Sequence, residues 1–413
     1  VGNVLCSGGY HTRKRVEEET MKKIILAYSG GLDTSCIVRW LTDRGWDVVC
    51  FVADLGQGLG KGENFARIKQ RAIAAGASRV YIKDLKDEFV KDFVMSALKA
   101  NAVYEGKYLL ATALGRPLIA KYLVDIAHKE KATAIAHGCT GKGNDQVRIE
   151  VTANILDPKL EIIAPVRTWE LKSREQEIDY AIKKKIPIDV SKKKPYSLDK
   201  NLWGVSIESG ILEDPQNEPP EDCYQWTVSP QKAPNKATYA EITFEKGVPK
   251  KLDGKAYTGV KLIDKLNALG AKNAIGRVDC IENRLVGIKS REIYEAPAAT
   301  ILYTAHKELE ALVLDKDLAH YKESRSGLYG ELIYNGLWYS DMRIAIDKFI
   351  QQTQKRVTGI IKLKLYKGNC AVASRKSPYS LYKKRLATYS EGDKFDQKLA
   401  EGFIKIYGMP FKK

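Results

Sequence analysis

Through roughly its first 190 residues the chain repeats one rhythm: a short unbroken apolar run, a polar turn, then an amphipathic stretch. Ile24-Ile25-Leu26-Ala27 runs into Ser29-Gly30-Gly31, which predicts a buried strand over 22–28 entering a tight turn. Apolar residues at 37, 38, 40 and 41 predict a helix over 34–42, and Gly45 stops it. Val48-Val49-Cys50-Phe51-Val52 predicts a second buried strand over 47–53. The same reasoning predicts helices over 65–75, 87–100 and 117–129, and strands over 79–82 and 132–137. Strands alternating with helices imply an α/β unit, a parallel sheet covered on both faces.

The rhythm weakens after about residue 190. Glu213 to Asp222 carries three prolines among acids and reads as a surface loop or linker. Beyond it, 240–244 and 277–281 alternate like antiparallel strands, 299–314 and 341–354 read as helices, and 359–365 with 370–374 reads as a terminal strand pair. This second part is α+β. Residues 390–413 are amphipathic and separate from the core pattern.

A chain of 413 residues suits two or three domains, and 44% hydrophobic residues allow a large core without staples. Seven cysteines at 6, 36, 50, 139, 223, 280 and 370 form no Cys-x-x-Cys. Their odd number and wide spacing argue against a disulfide framework or structural zinc, and a reducing, cytoplasmic setting is expected. The five histidines form no His-x-x-x-His pair, so no metal site is expected, and no apolar run approaches the ~20 residues of a membrane span. The net charge of +17 would attract nucleic acid or small anionic substrates, yet it equally describes a lysine-rich surface. Lys183-Lys184-Lys185 and Lys192-Lys193-Lys194 lack the interleaved aromatics of a single-strand reader, so no nucleic-acid partner is expected. In residues 1–20 the charged block follows the mildly apolar part, the reverse of a signal peptide. They read as a disordered extension ahead of Met21.

Chemistry concentrates after the predicted strands. In Ala27-Tyr28-Ser29-Gly30-Gly31-Leu32-Asp33-Thr34-Ser35, two glycines let the backbone turn sharply and approach an anion. Three hydroxyls and a helix N-terminus face that anion. No lysine follows the glycines, so this is not a Walker loop. A second loop, His137-Gly138-Cys139-Thr140-Gly141-Lys142-Gly143-Asn144-Asp145-Gln146-Val147-Arg148, also follows a strand. It therefore lies on the carboxyl edge of the sheet, where open α/β folds bind ligands. Gly56-x-Gly58-x-Gly60 is weaker and reads equally as a flexible loop. Tyr104-Glu105-Gly106-Lys107-Tyr108, with Thr112 and Arg116-Pro117, could bind a carboxylate or simply cap a helix. By spacing alone Ser197, Ser206, Glu282 and Tyr294 read as structural.

Taken together, the strings at 27–35, 104–108, 140–148 and Ile281-Glu282-Asn283-Arg284 resemble the argininosuccinate synthase family, in order, from Met21 to about Tyr382. The first string resembles the pyrophosphate-cradling PP-loop of the N-type ATP pyrophosphatases more widely. The resemblance implies an adenine-nucleotide-hydrolase-like α/β domain over 21–188. It also implies an α+β synthetase and multimerisation domain over 189–385 and a C-terminal oligomerisation helix over 386–413. It implies a ligase of arginine biosynthesis that condenses citrulline and aspartate with Mg-ATP, through citrullyl-AMP, releasing AMP and pyrophosphate. No tightly bound cofactor and no membrane partner are implied, and a homotetramer is. Carried over by motif, ATP would contact Ala27, Tyr28, Ser29, Gly30, Gly31, Leu32, Asp33, Thr34, Ser35, Ala53 and Gly138, with Ser29 and Asp33 catalytic. Citrulline would contact Tyr104, Thr112, Asn144, Arg148, Ser197, Ser206, Glu282 and Tyr294. Aspartate would contact Thr140, Asn144 and Asp145. Gly115 departs from the family's usual Ala, and residues 1–20 lie outside its pattern. Two rivals remain at this level. A tRNA-modifying PP-loop enzyme is favoured by the charge but lacks Cys-x-x-Cys and an added RNA module. A non-catalytic ATP sensor would leave the polar loops of the second half without a use.

Overall fold

In β1 (Lys23–Ala27) and β2 (Asp47–Asp54) the apolar runs alternate between two buried faces. Ile24, Leu26, Val48, Cys50 and Val52 enter one core, while Ile25, Val49 and Phe51 enter another. A strand buried on both faces needs no polar alternation, which is why the sequence shows none. The computed structural model describes residues 21–59, 63–187 and 196–412. The extension 1–20, Gly60, the lysine run at 192–194 and the domain boundary at 188/189 fall outside these residues.

With β3 (Arg79–Asp84), β4 (Ala134–Ala136) and β5 (Glu161–Ile163) these strands form a wholly parallel sheet ordered β3-β2-β1-β4-β5. One face is covered by α1 (Leu32–Thr42) and α2 (Phe65–Ala75). A helical segment over 86–100, α3, follows β3 and contains a π-helical stretch, Phe89–Val94. It lies on the other face with α4 (Ala111–Glu130). Helix α4 begins six residues before Pro117, where the sequence places its start. The first turn survives because the Tyr108 hydroxyl accepts the otherwise orphaned Thr112 and Ala113 N–H groups, at 3.1 and 3.3 Å. The polar loop after β4 is shorter than the sequence suggests, because α5 (Asp145–Leu156) takes over its stretch from Asp145 to Arg148. Helix α6 (Arg174–Lys183) packs beside α1.

The second half holds two antiparallel sheets. One is ordered β11-β12-β7-β6, from β6 (Ser197–Asn201), β7 (Gly204–Glu208), β11 (Arg277–Asn283) and β12 (Lys289–Glu295). The other, β10-β9-β8-β13-β14, comprises β8 (Thr238–Glu245), β9 (Val248–Leu252), β10 (Lys255–Ala256), β13 (Gly359–Tyr366) and β14 (Asn369–Lys376). Of four long helices, α7 (Gly259–Lys272) and α8 (Pro297–Val313) pack on the second of these sheets, while α9 (Lys316–Tyr334) and α10 (Asp341–Thr353) pack on each other and on α3. Ile25, Phe51 and Leu118 share one continuous core with Phe244, Leu302, Tyr329 and Leu363. The two halves are therefore fastened by apolar burial, not by a linker alone. At the end of the chain α11 (Lys398–Tyr407) has no buried residue, and Leu399, Phe403, Ile404, Ile406 and Tyr407 are all exposed.

Helix α9 lies so close to the 103 backbone that only glycine fits at one point. A Cβ on Gly330 would stand 2.7 Å from the Val103 carbonyl oxygen, whereas one on Gly327, in the same helix, would meet nothing. Gly330→Ala should therefore cost about 1–3 kcal/mol. Gly327→Ala should gain up to about 1 kcal/mol from helix propensity. Thermal midpoints moving in opposite directions for the two variants check this packing.

Candidate active site

The sheet order reverses between β1 and β4, so the loops that leave these neighbouring strands part and open a crevice at their carboxyl ends. The loop after β1 lines one wall. Gly30 adopts φ +82°, a left-handed conformation that favours glycine, and Gly31 caps α1 in an extended one. Ser29 Oγ lies 3.1 Å from Thr34 Oγ1 and accepts from the Gly31 N–H at 3.3 Å. Ser35 donates to the Gly31 carbonyl at 2.7 Å and meets the Tyr28 hydroxyl at 2.9 Å. Arg71, from α2, donates to the Gly30 carbonyl and pairs with Glu63 at 2.8 Å. These bonds hold a tight turn at the start of α1, where among the described residues no side chain caps the helix and its first N–H groups suit an anion.

The loop after β4 lines the facing wall. A Cβ on Gly138 would stand 3.0 Å from Ile37 Cδ1 and 3.3 Å from Thr34 Cγ2, so glycine there lets the two loops touch. Buried His137 accepts the Cys139 N–H on Nδ1 (3.2 Å), which leaves Nε2 to donate to Glu150 at 2.9 Å. That hydrogen bond, with Arg167 at 2.8 Å, keeps the Glu150 carboxyl below its usual range. Ala53 closes β2 on the other side of β1, its carbonyl accepting from Gln57 at 2.8 Å. The expected nucleotide contacts thus end three adjacent strands, β2, β1 and β4.

Farther along the crevice, charged groups of the first half meet residues of the second. Asp145, the first residue of α5, receives Arg148 at 2.9 Å and Arg116 at 2.8 Å. Burial alone would raise its pKa, but the two guanidinium groups outweigh it and hold the carboxyl well below the usual range. Arg116 also meets Asp199 on β6. Burial raises the Asp199 carboxyl despite that partner. Glu282 on β11 accepts from the Tyr334 hydroxyl at 2.9 Å and the Tyr294 hydroxyl at 3.0 Å. The Tyr334 hydroxyl also accepts from Asn144 at 2.7 Å, and its carbonyl from Arg148 at 2.9 Å. Tyr104 stacks on Tyr334 with ring centres 3.5 Å apart. Tyr108 stacks on Tyr294 at 4.1 Å and bonds Thr112 at 2.6 Å. Ser206 pairs with Tyr294 across β7 and β12.

Tyr104, Thr112, Asn144, Arg148, Ser206, Glu282 and Tyr294 therefore share one cluster, although they come from five separate segments. Thr140 stands exposed on the loop after β4, with the Gly143 N–H donating to its carbonyl at 3.2 Å. Ser197 is exposed near the outer end of β6, opposite Glu208, and among the described residues no hydrogen bond joins it to the cluster. An alanine Cβ in place of Gly115 would lie 3.0 Å from Leu55 Cδ1, so the family's usual residue would require only a small shift. Tyr334 carries no signal in the sequence, because it is the last residue of a helix, α9, that the pattern does not predict. Among the described residues no group of three or more His, Cys, Asp or Glu is placed to hold a metal ion.

Two family models match the chain: the arginosuccinate synthase N-terminal HUP domain over residues 23–187 and the arginosuccinate synthase C-terminal domain over 196–413. The argininosuccinate synthase of Chlorobium luteolum is 57% identical over 392 residues, covering 95% of this chain and 97% of that protein. That of Thermoanaerobacter sp. (strain X514) is 56% identical over 391 residues, covering 95% of each. That of Desulfitobacterium hafniense (strain Y51) is 55% identical over 399 residues, covering 96% of this chain and 97% of that protein.

One carboxyl beside the cradle titrates near neutrality. Glu177, on α6, is pushed up to about 8 by burial and then by the Asp33 carboxyl against it. A carboxyl whose folded pKa exceeds its unfolded value lowers stability as pH rises between the two, because the unfolded chain then releases its proton more easily. Glu177→Gln removes this penalty. Its thermal midpoint should match wild type near pH 5 and exceed it progressively toward pH 8, and an equal offset at both pH values would contradict the assignment.

Proposed function

The chain belongs to the argininosuccinate synthase family, and from that premise we propose how its two walls divide the work of the reaction. The enzyme is an ATP-dependent carbon–nitrogen ligase of arginine biosynthesis that joins citrulline to aspartate and yields argininosuccinate, AMP and pyrophosphate. ATP is a substrate, and we assign magnesium to it as Mg-ATP. The cradle over 27–35, with Ala53 and Gly138, takes the nucleotide. Its N–H groups at the start of α1 and the Ser29 and Thr34 hydroxyls receive the β- and γ-phosphates, while Ser35, whose proton goes to the Gly31 carbonyl, holds the turn, so negative charge leaving the α-phosphorus is met by donors already in place. Ser29 and Asp33 are the catalytic members of that loop.

The ureido oxygen of citrulline attacks the α-phosphorus, the bond to the β-phosphate breaks, and pyrophosphate leaves. The aspartate amine then attacks the ureido carbon of citrullyl-AMP, gives up a proton, and AMP departs. Arg148 presents a fork for the citrulline carboxylate, and Glu282 is the acceptor for its ammonium. Tyr104, Thr112, Asn144, Ser197, Ser206 and Tyr294 complete that contact set. Thr140, Asn144 and Asp145 hold aspartate beside it. Positioning carries most of the rate, because both steps need two groups held in line more than they need a strong base. The juxtaposition of cradle and cluster across one crevice supports this reading. With Mg-ATP, citrulline and aspartate, AMP should form in step with argininosuccinate. ADP as the stoichiometric product would overturn it.

The exposed apolar face of α11 supports a homotetramer in which that helix packs on a neighbouring subunit. Domain limits of 21–188, 189–385 and 386–413 belong to the same proposal, as does a cytoplasmic location. No helix among the described residues is long and apolar enough to cross a membrane. Phe403→Asp with Ile404→Asp should shift the mass measured by light scattering from tetramer to smaller species, and an unchanged tetramer would refute the role of α11.

A further inference from the structure

We infer that Tyr334 is a positioning residue of the citrulline site, whose hydroxyl and ring set the orientation of Asn144, the hydrogen bonding of Glu282 and the placement of Tyr104. The inference rests on the site reading above and extends it to a residue that reading does not use. Tyr334 ends α9 and is fully buried. It touches four of the residues assigned to citrulline: Asn144, Glu282, Arg148 and Tyr104.

The direction of each hydrogen bond follows from the donors available. The Leu285 N–H can only donate, and it stands 2.9 Å from Asn144 Oδ1. The amide is therefore turned so that Nδ2 faces Tyr334, at 2.7 Å. A phenol has one proton. Since Tyr334 accepts from Asn144, that proton goes to Glu282 Oε1 at 2.9 Å. The relay runs one way, from Asn144 through Tyr334 to Glu282, whose Oε1 is the final acceptor. Tyr294 supplies the second phenol proton at 3.0 Å.

Glu282 needs this help. Its carboxyl is buried, which raises its pKa, and the Tyr334 and Tyr294 hydrogen bonds oppose the rise, followed by the charges of Arg148 and Arg284. The other titratable groups facing it are the Glu292 carboxyl, the Cys280 thiol and the phenols of Tyr104 and Tyr108. Both arginines are engaged elsewhere, Arg148 with Asp145 and Arg284 with Glu208 and Glu292. Burial still raises the Glu282 carboxyl on balance, and the donors that oppose the rise at its two oxygens are neutral phenols, which favour the ionised form without pairing its charge. Stacking on Tyr104 ties the same residue to the other side of the site.

Steady-state kinetics of the full chain across pH 5.5–9, about the range over which a raised carboxyl would show, tests the assignment. Tyr334→Phe keeps the ring stack and removes only the hydroxyl. Citrulline KM should rise about tenfold, the loss expected when one hydrogen bond to a charged group goes. The KM for ATP and kcat should stay within about twofold. The acid limb of kcat/KM for citrulline should move to higher pH, because Glu282 has lost one of the donors that favour its ionised form. Packing loss alone would not move that limb. Unchanged citrulline KM and acid limb in Tyr334→Phe would overturn the inference, as would an equal rise in all three substrate KM values with the limb unmoved. Glu282→Gln separates the two levels of argument. If it raises citrulline KM while Tyr334→Phe does not, Tyr334 has no positioning role and the site reading stands. If Glu282→Gln leaves citrulline KM unchanged, the citrulline assignment itself fails.

Discussion

The parting of the chain at the β1/β4 edge is the constraint on which the rest of this molecule depends. Two parallel strands lie side by side, and the segments that follow them turn away in different directions. At the start of α1 the first N–H groups have no intrahelical acceptor and, among the described residues, no side-chain cap, and the glycine-rich loop after β4 stands across the gap from them. Gly138 meets the side chains of Thr34 and Ile37 at a distance no larger residue would keep without displacing them. The proposed nucleotide cradle is thus a consequence of sheet topology, with hydroxyls and glycines added where a helix begins beside the gap.

The loop after β4 and the second half together finish what the crevice begins. Helix α5 starts inside the loop after β4 and carries Asp145 and Arg148 on its first turn. From there the chain of contacts passes to β6 through Arg116 and Asp199, to β11 through Glu282, and to α9 through Tyr334. The core that joins the halves is apolar and continuous, so these polar groups are brought to fixed positions by burial that has nothing to do with their chemistry. A site of this kind tolerates little movement, since buried polar groups such as Arg148 and Glu282 are stable only while every partner stays in reach.

Much of this was legible in the sequence. The apolar runs of β1 and β2, the glycine turn after Tyr28 and the helix over 34–42 follow from local pattern, because a strand buried on both faces and a strand-to-helix turn each have a short-range signature. The polar strings at 104–108, 140–148 and 281–284 were equally visible as residues, and the family they resemble supplied their expected roles. Local pattern misjudged the start of α4, placing it at Pro117, because the proline rule speaks only of the chain itself. The donors of the true first turn are satisfied by Tyr108, whose hydroxyl reaches them from outside the helix.

By itself, then, the sequence determined a parallel α/β half with an anion-cradling loop, an α+β half, and the residue types needed to bind nucleotide and amino acids, since all of these depend on periodicity and composition along the chain. Only the tertiary structure decided which of the second half's polar residues meet. Ser206 joins Tyr294 through strand pairing, while Ser197, two residues beyond Asp199 on the neighbouring strand, stays outside the hydrogen-bonded cluster. Tyr334 enters the centre of that cluster from a helix with no motif and a weak apolar stripe. Contacts between residues 50 to 190 positions apart arise from how sheets and helices pack, and no local rule of the chain encodes which side chain will stand opposite which.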